Sequence, residues 1–308
     1  MLLTLTPAQL AAAGPRALSD ALERGEIVHF AACPLELPSE GDLEFLRSGL
    51  SSHLRRKNVS WYYATDSLKG LGRAPEVAAR AHALLAAHAA RVRLFLSTAM
   101  PEFTAGYQPG TTSMRPLQER GRKLSAHASN ELVHVDAGAY GATHGDRILR
   151  FFVNVHPSAD RVWMTKGAFP ALYRAHAEAA GLRTASGPPP VDDGPLDRAF
   201  TALVRGVSKV APAAHLLDSS RYDRLMRRFH NWMKDTPAFQ ADKAGRQEIR
   251  FGPGVAWMVL TDQVSHACTE GQHALVDTFV VPLANCRLPA LSPYQILRTG
   301  HAPAGQGA

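Results

Sequence analysis

The sequence contains little cysteine and no long apolar run. Its 308 residues include three cysteines, Cys33, Cys268 and Cys286, an odd number without close spacing. This excludes a disulfide framework and a CxxC metal site, and it favours reduced thiols in the cytoplasm. No stretch is long and apolar enough to predict a membrane-spanning helix. The first residues lack the basic segment of a secretory signal, so we expect no signal peptide.

Acidic residues are fewer than basic ones, which leaves a formal net charge of +7 with 27 arginines and only 7 lysines. A GC-rich genome is the first explanation for such an arginine excess, and an anionic partner, such as a phosphorylated lipid or a sugar acid, is the alternative. No nucleic-acid-binding motif accompanies the charge, so nucleic acid is not an expected partner. The oligomeric state has no signature in the sequence.

The pattern of apolar and turn-forming residues changes near residue 101. Residues 1–100 are predicted to be mostly helical, with one strand at 26–33. After residue 101, short apolar runs such as "RILRFFVNV", "RVWMT" and "VAWMVLTDQ" alternate with Gly, Pro, Asn and Asp, as is typical of strands joined by turns. We predict one domain (1–308), mainly β with α. Its double-stranded β-helix (jelly-roll) core would occupy 101–285, with N-terminal helical decoration and a helical insertion at 168–235.

The run "NELVHVDAGAYGATHGD" contains the motif H-x-D at His134 and Asp136. Residues two apart in a strand project from the same face, so both side chains should point into the core. His266, in "DQVSHA", follows a later strand and opens the next one. An H-x-D pair with a distant histidine is the 2-His-1-carboxylate pattern that binds Fe(II) and leaves positions open. Catalytic zinc suits the same residues, and His144 and His156 are alternative ligands.

An oxygenase of this pattern that uses 2-oxoglutarate needs a cation for the distal carboxylate, and arginine binds it bidentately. The segment "GQHALVDTFVVP" after His266 holds neither Arg nor Lys. In "DRILRFFVNV", alternation places Arg150 and Asn154 on one face, which predicts a carboxylate pocket there. Arg147, on the opposite face, is the alternative candidate for binding the distal carboxylate of 2-oxoglutarate.

Several motifs resemble the Kdo (3-deoxy-D-manno-octulosonic acid) hydroxylases of Gram-negative bacteria. They are "RKNVSW", "LKG", "LVHVDA", "THGDRILRFFVNVHP", "RVW", "RFHNWMK" and "GPGVAWMVLTDQVSHA". The resemblance implies an Fe(II)/2-oxoglutarate-dependent dioxygenase with a jelly-roll core, which uses O₂ to hydroxylate C3 of Kdo in the lipid A inner core. It implies that His134, Asp136 and His266 are the iron ligands. Because such a substrate is a sugar linked to a lipid, it implies a cytoplasmic protein that binds peripherally to the inner membrane.

Three alternatives stay open at this point. The loop at residues 137–145 is rich in glycine and departs from the family pattern, so the substrate could be another small molecule. A zinc-dependent hydrolase would use the same triad but needs a general base. A sugar-binding jelly roll without catalysis would need no triad at all.

Overall fold

The computed structural model describes residues 2–138, 141–208 and 218–303. The strands are β1 (Leu2–Leu5), β2 (Ile27–Phe30), β3 (Val59–Tyr62), β4 (Ser67–Lys69), β5 (Gln108–Arg115), β6 (Arg147–Asn154), β7 (Arg161–Thr165), β8 (Gln247–Phe251), β9 (Ala256–Leu260), β10 (Ala267–Glu270) and β11 (Ala274–Val281). The α-helices are α1 (Pro7–Ala12), α2 (Ala17–Glu23), α3 (Glu40–Glu44), α4 (Pro75–Ala99), α5 (Phe169–His176), α6 (Pro195–Ser208), α7 (Arg221–Asp235), α8 (Pro237–Ala241) and α9 (Pro293–Thr299).

The strands form two sheets. The large sheet has eight strands in the order β1-β2-β9-β6-β11-β5-β3-β4, and the small sheet has three in the order β10-β7-β8. Neighbouring strands are antiparallel except for β1 and β2. Strands distant in sequence therefore lie side by side, and residues from β5, β6 and β11 share one surface.

Strand β6, in the middle of the large sheet, is buried on both faces because its side chains alternate between two cores. Leu149, Phe151 and Val153 pack with the buried face of α4. Phe152 points the other way, where its ring lies against Trp163 of the small sheet at 4.9 Å and stacks on Trp257 at 5.0 Å. The second core therefore holds the two sheets together through aromatic side chains, which bury large apolar areas.

Helices α5 to α8 lie between β7 and β8 in the chain, and three of them, α5, α7 and α8, form a third core with α9. Val133 and Val135 belong to this core, so the segment carrying His134 and Asp136 is packed between the helices and the sheets. Within the described part of the chain, every helix is too short or too polar to cross a bilayer.

The structure departs from the predicted elements in two places. Residues 1–100 supply four strands of the large sheet in addition to their helices. The run "LVHVD" is not a strand: only His134 pairs, through an isolated antiparallel bridge to His266. Its valines pack against the helices, and its backbone does not continue a sheet.

Candidate metal centre

His134, Asp136 and His266 converge in the structure. Their ligand atoms all lie within 4.8 Å of one another, and His134 Nε2 is 3.7 Å from Asp136 Oδ1. The three side chains are almost buried. The other two candidate ligands lie elsewhere. His144 contacts Asp218 through Nε2 at 2.8 Å, and His156 Nδ1 accepts from the backbone N–H groups of residues 158 and 159.

Backbone hydrogen bonds hold the two segments of this triad together. His134 N–H donates to the carbonyl of His266 at 3.1 Å, and His266 N–H donates back at 2.8 Å. The N–H of Asp136 donates to the carbonyl of Thr261 at 2.8 Å. Because the bridge forms directly beside the functional side chains, a shift of either segment would separate them.

Both imidazoles are oriented by the same local contact. Nδ1–H of His134 donates to the carbonyl of Leu132 at 2.7 Å, and Nδ1–H of His266 donates to the carbonyl of Val264 at 2.9 Å. A carbonyl can only accept, so the proton is on Nδ1 and the Nε2 lone pair is available. Burial lowers the pKa of both histidines. They are therefore neutral at pH 7, the state in which imidazole binds a metal.

Asp136 supplies the negative charge. Burial alone would raise the pKa of its carboxyl group, but Arg150 and the two histidines outweigh burial and lower it. Arg150 Nη2 lies 3.0 Å from Asp136 Oδ2, while Oδ1 faces His134. Two neutral imidazoles and one carboxylate fit a divalent first-row metal such as iron or zinc.

A cavity of about 210 Å³ opens beside the triad and is lined by basic side chains. Lys57, Arg115 and Arg150 all reach it, and the triad's Asp136 is the only carboxylate among the described residues of its wall. Phe152 and Trp163 close the side that faces the aromatic core. The positive charge exceeds what one carboxylate balances, so the cavity is suited to an anionic ligand.

Arg115 lines the cavity although no motif in the sequence predicts it there. Its nearest carboxylate is Glu119 at 3.9 Å, and its Nε has no hydrogen-bond partner among the described residues. Burial, together with the like charge of Arg161, lowers the pKa of Arg115 to about 10. The pairing of β5 and β6 on either side of β11 brings Arg115 to the cavity. The motif "TSMRP" alone gives no sign of that pairing.

The two arginines of β6 lie on opposite faces of the strand, as the alternation of its side chains predicted. Arg150 lines the cavity, whereas Arg147 is buried away from it with Nε 2.7 Å from Asp262 Oδ2. Asn154 does not join Arg150 at the cavity, which corrects the expectation from alternation. Its amide group donates to the carbonyls of Ala159, Phe251 and Gly252, so it fastens the end of the strand.

His230 of "RFHNWMK" packs behind the triad. Its ring centroid is 4.9 Å from that of His134, and Nδ1–H donates to the carbonyl of Val135 at 2.7 Å. Helix α7 thus supports the segment between the two H-x-D side chains. Ala139 and Tyr140 of the following loop lie outside the described residues.

Two imidazoles and a carboxylate converging beside a basic cavity, between two packed sheets, are the arrangement of the 2-His-1-carboxylate metalloenzymes. The sequence model of the 3-deoxy-D-manno-oct-2-ulosonic acid (Kdo) hydroxylase family matches residues 7–302. The chain belongs to this family, and the family prediction from its motifs is confirmed.

Solved structures of a family member agree. The apo structure of the Kdo hydroxylase KdoO, a non-heme Fe(II) α-ketoglutarate-dependent dioxygenase, is 25% identical with a TM-score of 0.76, over 97% of this chain and 95% of that one. KdoO with succinate and Fe(III) is 25% identical with a TM-score of 0.75, over the same shares. KdoO with α-ketoglutarate and Fe(III) is 24% identical with a TM-score of 0.76, over 100% and 98%.

The predicted enzyme class, with iron and 2-oxoglutarate as cofactors, is confirmed at the level of the family by these structures. A search of curated protein sequences gave no significant match.

Proposed function

We propose that this chain is an Fe(II)/2-oxoglutarate-dependent dioxygenase that hydroxylates C3 of Kdo in the lipid A inner core. One observation carries the proposal: in a chain of the Kdo hydroxylase family, His134, Asp136 and His266 meet beside a cavity lined by three cations. The two packed sheets would form the jelly-roll core, a fold that surrounds a central site with distant strands.

His134 and His266 would hold the iron through Nε2, and Asp136 through Oδ1. Their fit rests on charge and orientation: both imidazoles are neutral with Nε2 free, and Asp136 is ionised. Arg150 would keep the second oxygen of Asp136 in place, since it already pairs with Oδ2. Such outer contacts orient metal ligands and tune their affinity.

Arg150 and Arg115 would together supply the positive charge for 2-oxoglutarate, a dianion. Arg150 lies next to the triad, so it can neutralise negative charge close to the metal. Among the described residues, the buried Nε of Arg115 has no hydrogen-bond partner and its nearest carboxylate is 3.9 Å away, so a ligand carboxylate would complete its hydrogen bonding. A charge-assisted bond of this kind is worth about 1.5–3 kcal/mol.

When bound, iron and 2-oxoglutarate supply the oxidation: O₂ gives one oxygen atom to succinate and one to the substrate, and CO₂ is released. The chain supplies ligands, charge and a dry wall. Phe152 and Trp163 exclude water from one side of the cavity, which strengthens the electrostatic contacts inside it.

The hydrolase alternative needs a carboxylate base beside the metal, and among the described residues that line the cavity the only carboxylate, Asp136, belongs to the triad. The substrate class is an anionic sugar on a lipid, which implies a cytoplasmic enzyme that works at the inner membrane. A different small acceptor is the second candidate, because the loop beside the triad is glycine-rich.

The test is turnover of a Kdo-bearing lipid A precursor with Fe(II), 2-oxoglutarate and O₂. We expect a product one oxygen atom heavier and equimolar succinate, with both lost in Asp136→Ala. If succinate forms only with another acceptor, the dioxygenase assignment holds and the Kdo assignment is wrong. If succinate never forms and zinc copurifies, the dioxygenase assignment fails as well.

A further inference from the structure

The three cations of the cavity stand on different elements of the large sheet. Arg150 is on β6, where it pairs with Asp136 at 3.0 Å. Arg115 is on β5, which β11 separates from β6. Lys57 precedes β3, the strand that pairs with β5 on its other side. In the order of the sheet, Lys57 is therefore the cation farthest from the strand that contacts the metal centre.

The ammonium group of Lys57 is half-buried, and among the residues that the structure describes no carboxylate pairs with it. Its Nζ donates to the carbonyl of Ala128 at 3.2 Å. An ammonium has three N–H groups, so two are left for a ligand. Burial lowers the pKa of Lys57, and the like charges of Arg115 and Arg150 lower it further. An anion beside Nζ would stabilise the charged form against both effects.

Iron and 2-oxoglutarate do not balance the charge of this cavity. Its three cations outnumber the single carboxylate, that of Asp136, among the described residues of its wall. Fe(II) and the 2-oxoglutarate dianion cancel each other, so the positive excess is the same when both are bound. Glu119, the carboxylate nearest to Arg115, is shared with Arg122 and Arg161 and does not remove it. The excess fits one more anion, which the acceptor would supply.

Two amide side chains line the cavity together with Lys57. They belong to Asn58, the next residue in the chain, and to Asn130. Asn130 Nδ2 donates to Glu119 Oε2 at 3.0 Å, and its Oδ1 accepts from none of the described residues. An amide group both donates and accepts, as a hydroxyl group does. A cation beside two amides therefore suits a sugar acid, which carries one carboxylate and several hydroxyl groups.

We propose that Lys57 binds the carboxylate of the acceptor sugar and that Asn58 and Asn130 bind its hydroxyl groups. This assignment rests on the proposed function. In Kdo the carboxylate is attached to C2, the carbon next to C3, so a cation that holds the carboxylate determines where C3 lies. Lys57 also selects for acidic sugars, because an uncharged sugar leaves its ammonium group without a partner.

The test compares two soluble acceptors. One is the deacylated Kdo-bearing lipid A precursor, and the other is the same compound with its Kdo carboxylate converted to the primary amide. Calorimetry without oxygen measures their binding to the protein loaded with Fe(II) and 2-oxoglutarate. We expect wild type to prefer the acid by roughly 10–100-fold, as for one charge-assisted contact. Lys57→Met should lose this preference, by binding the acid as weakly as the amide.

Two further variants serve as controls. Lys57→Arg keeps the positive charge and should keep most of the preference for the acid. Lys243→Met removes an exposed lysine outside the cavity wall and should bind both acceptors as wild type does. The KM for 2-oxoglutarate should not change in Lys57→Met, because the co-substrate is assigned to the two arginines.

An equal loss of affinity for acid and amide in Lys57→Met would overturn the assignment, since Lys57 would then contact another group, such as a phosphate. A raised KM for 2-oxoglutarate in the same variant would overturn it as well, by placing Lys57 at the co-substrate. In both cases wild type still hydroxylates the acid, so the proposed function stands. If wild type neither binds nor hydroxylates the acid, the proposed function fails and the Lys57 assignment fails with it.

Discussion

At the scale of single residues, His134, Asp136 and His266 were predictable because each stands in a short, recognisable context. H-x-D places two side chains together through local geometry, and "DQVSHA" marks the third. Arg150 followed from alternation along one strand. Arg115 and Lys57 could not be predicted, because they reach the cavity through strand pairing and packing that connect distant parts of the chain. The prediction that Asn154 lines the carboxylate pocket was wrong, because Asn154 lies at the end of β6 and its amide donates to backbone carbonyls there.

The metal-binding proposal predicts a stability change at this scale. Fe(II) added without oxygen should raise the unfolding temperature of the wild-type protein, since a ligand that binds only the native state stabilises it. At a hundredfold excess over Kd the gain is about 2.7 kcal/mol. Asp136→Ala should abolish the gain, whereas His156→Ala, outside the triad, should retain it. An equal gain in Asp136→Ala would place the metal elsewhere.

The 2-oxoglutarate proposal predicts a change in apparent affinity. Arg150→Gln and Arg115→Gln should each raise the KM for 2-oxoglutarate by roughly 10–100-fold, as expected for one lost charge-assisted contact. Arg120→Gln is the control, because Arg120 is exposed and its guanidinium pairs with Glu270 on the surface. Steady-state kinetics measure all three. Unchanged KM values in both cavity variants would remove these arginines from the co-substrate site.

His273 predicts how stability depends on pH. Burial lowers its pKa from 6.5 to about 4, helped by the nearby His156 and Arg47. Because the unfolded chain takes up the proton first, stability is complete above pH 6.5 and falls as the pH drops towards 4. Since the ring is partly exposed, the loss is on the order of 1–2 kcal/mol. His273→Asn, which tolerates the local φ of +56°, should flatten this part of the profile. Denaturant unfolding at several pH values measures it, and parallel profiles would contradict it.

At the scale of elements, the pattern of the sequence located β6, β7 and β9 to within a few residues, because each is an apolar run ended by turn residues. The short strands β1, β3 and β4 carry weaker patterns and exist because they extend an existing sheet. The run "LVHVD" has strand composition, but its valines pack against helices of the insertion. Packing against distant helices determined the conformation of that segment, and the local residue pattern does not reveal such packing.

One buried ion pair joins two of these elements. Asp262 accepts from Arg147 Nε at 2.7 Å and from the N–H of Ile148 at 3.1 Å, so it links the start of β6 to the turn that leads to His266. Asp262→Ala leaves Arg147 buried without its partner and should cost about 3–5 kcal/mol of unfolding free energy. Glu248→Ala, which breaks an exposed pair with Arg250, should cost less than about 1 kcal/mol. Similar costs in the two variants would contradict this assignment.

At the scale of the whole molecule, three cores meet at one place. The sheet–helix core fixes β5 and β6, the aromatic core closes the cavity, and the helical core holds the H-x-D segment. The position of the metal centre therefore depends on all three. Two of the arginines line the cavity, so part of the chain's excess positive charge lies beside the metal centre. Composition gave the sign of the charge, and only the fold gives its location.

The origin of the oxygen atom in the product tests the proposed dioxygenase activity most sharply. The chain should be supplied with Fe(II), 2-oxoglutarate, ¹⁸O₂ and a Kdo-bearing lipid A precursor, and succinate and lipid should be analysed by mass spectrometry. The proposed function predicts one labelled oxygen in the Kdo unit and one in succinate, in equal amounts, with neither in Asp136→Ala. An unlabelled product whose oxygen came from water, or turnover without succinate, would contradict it.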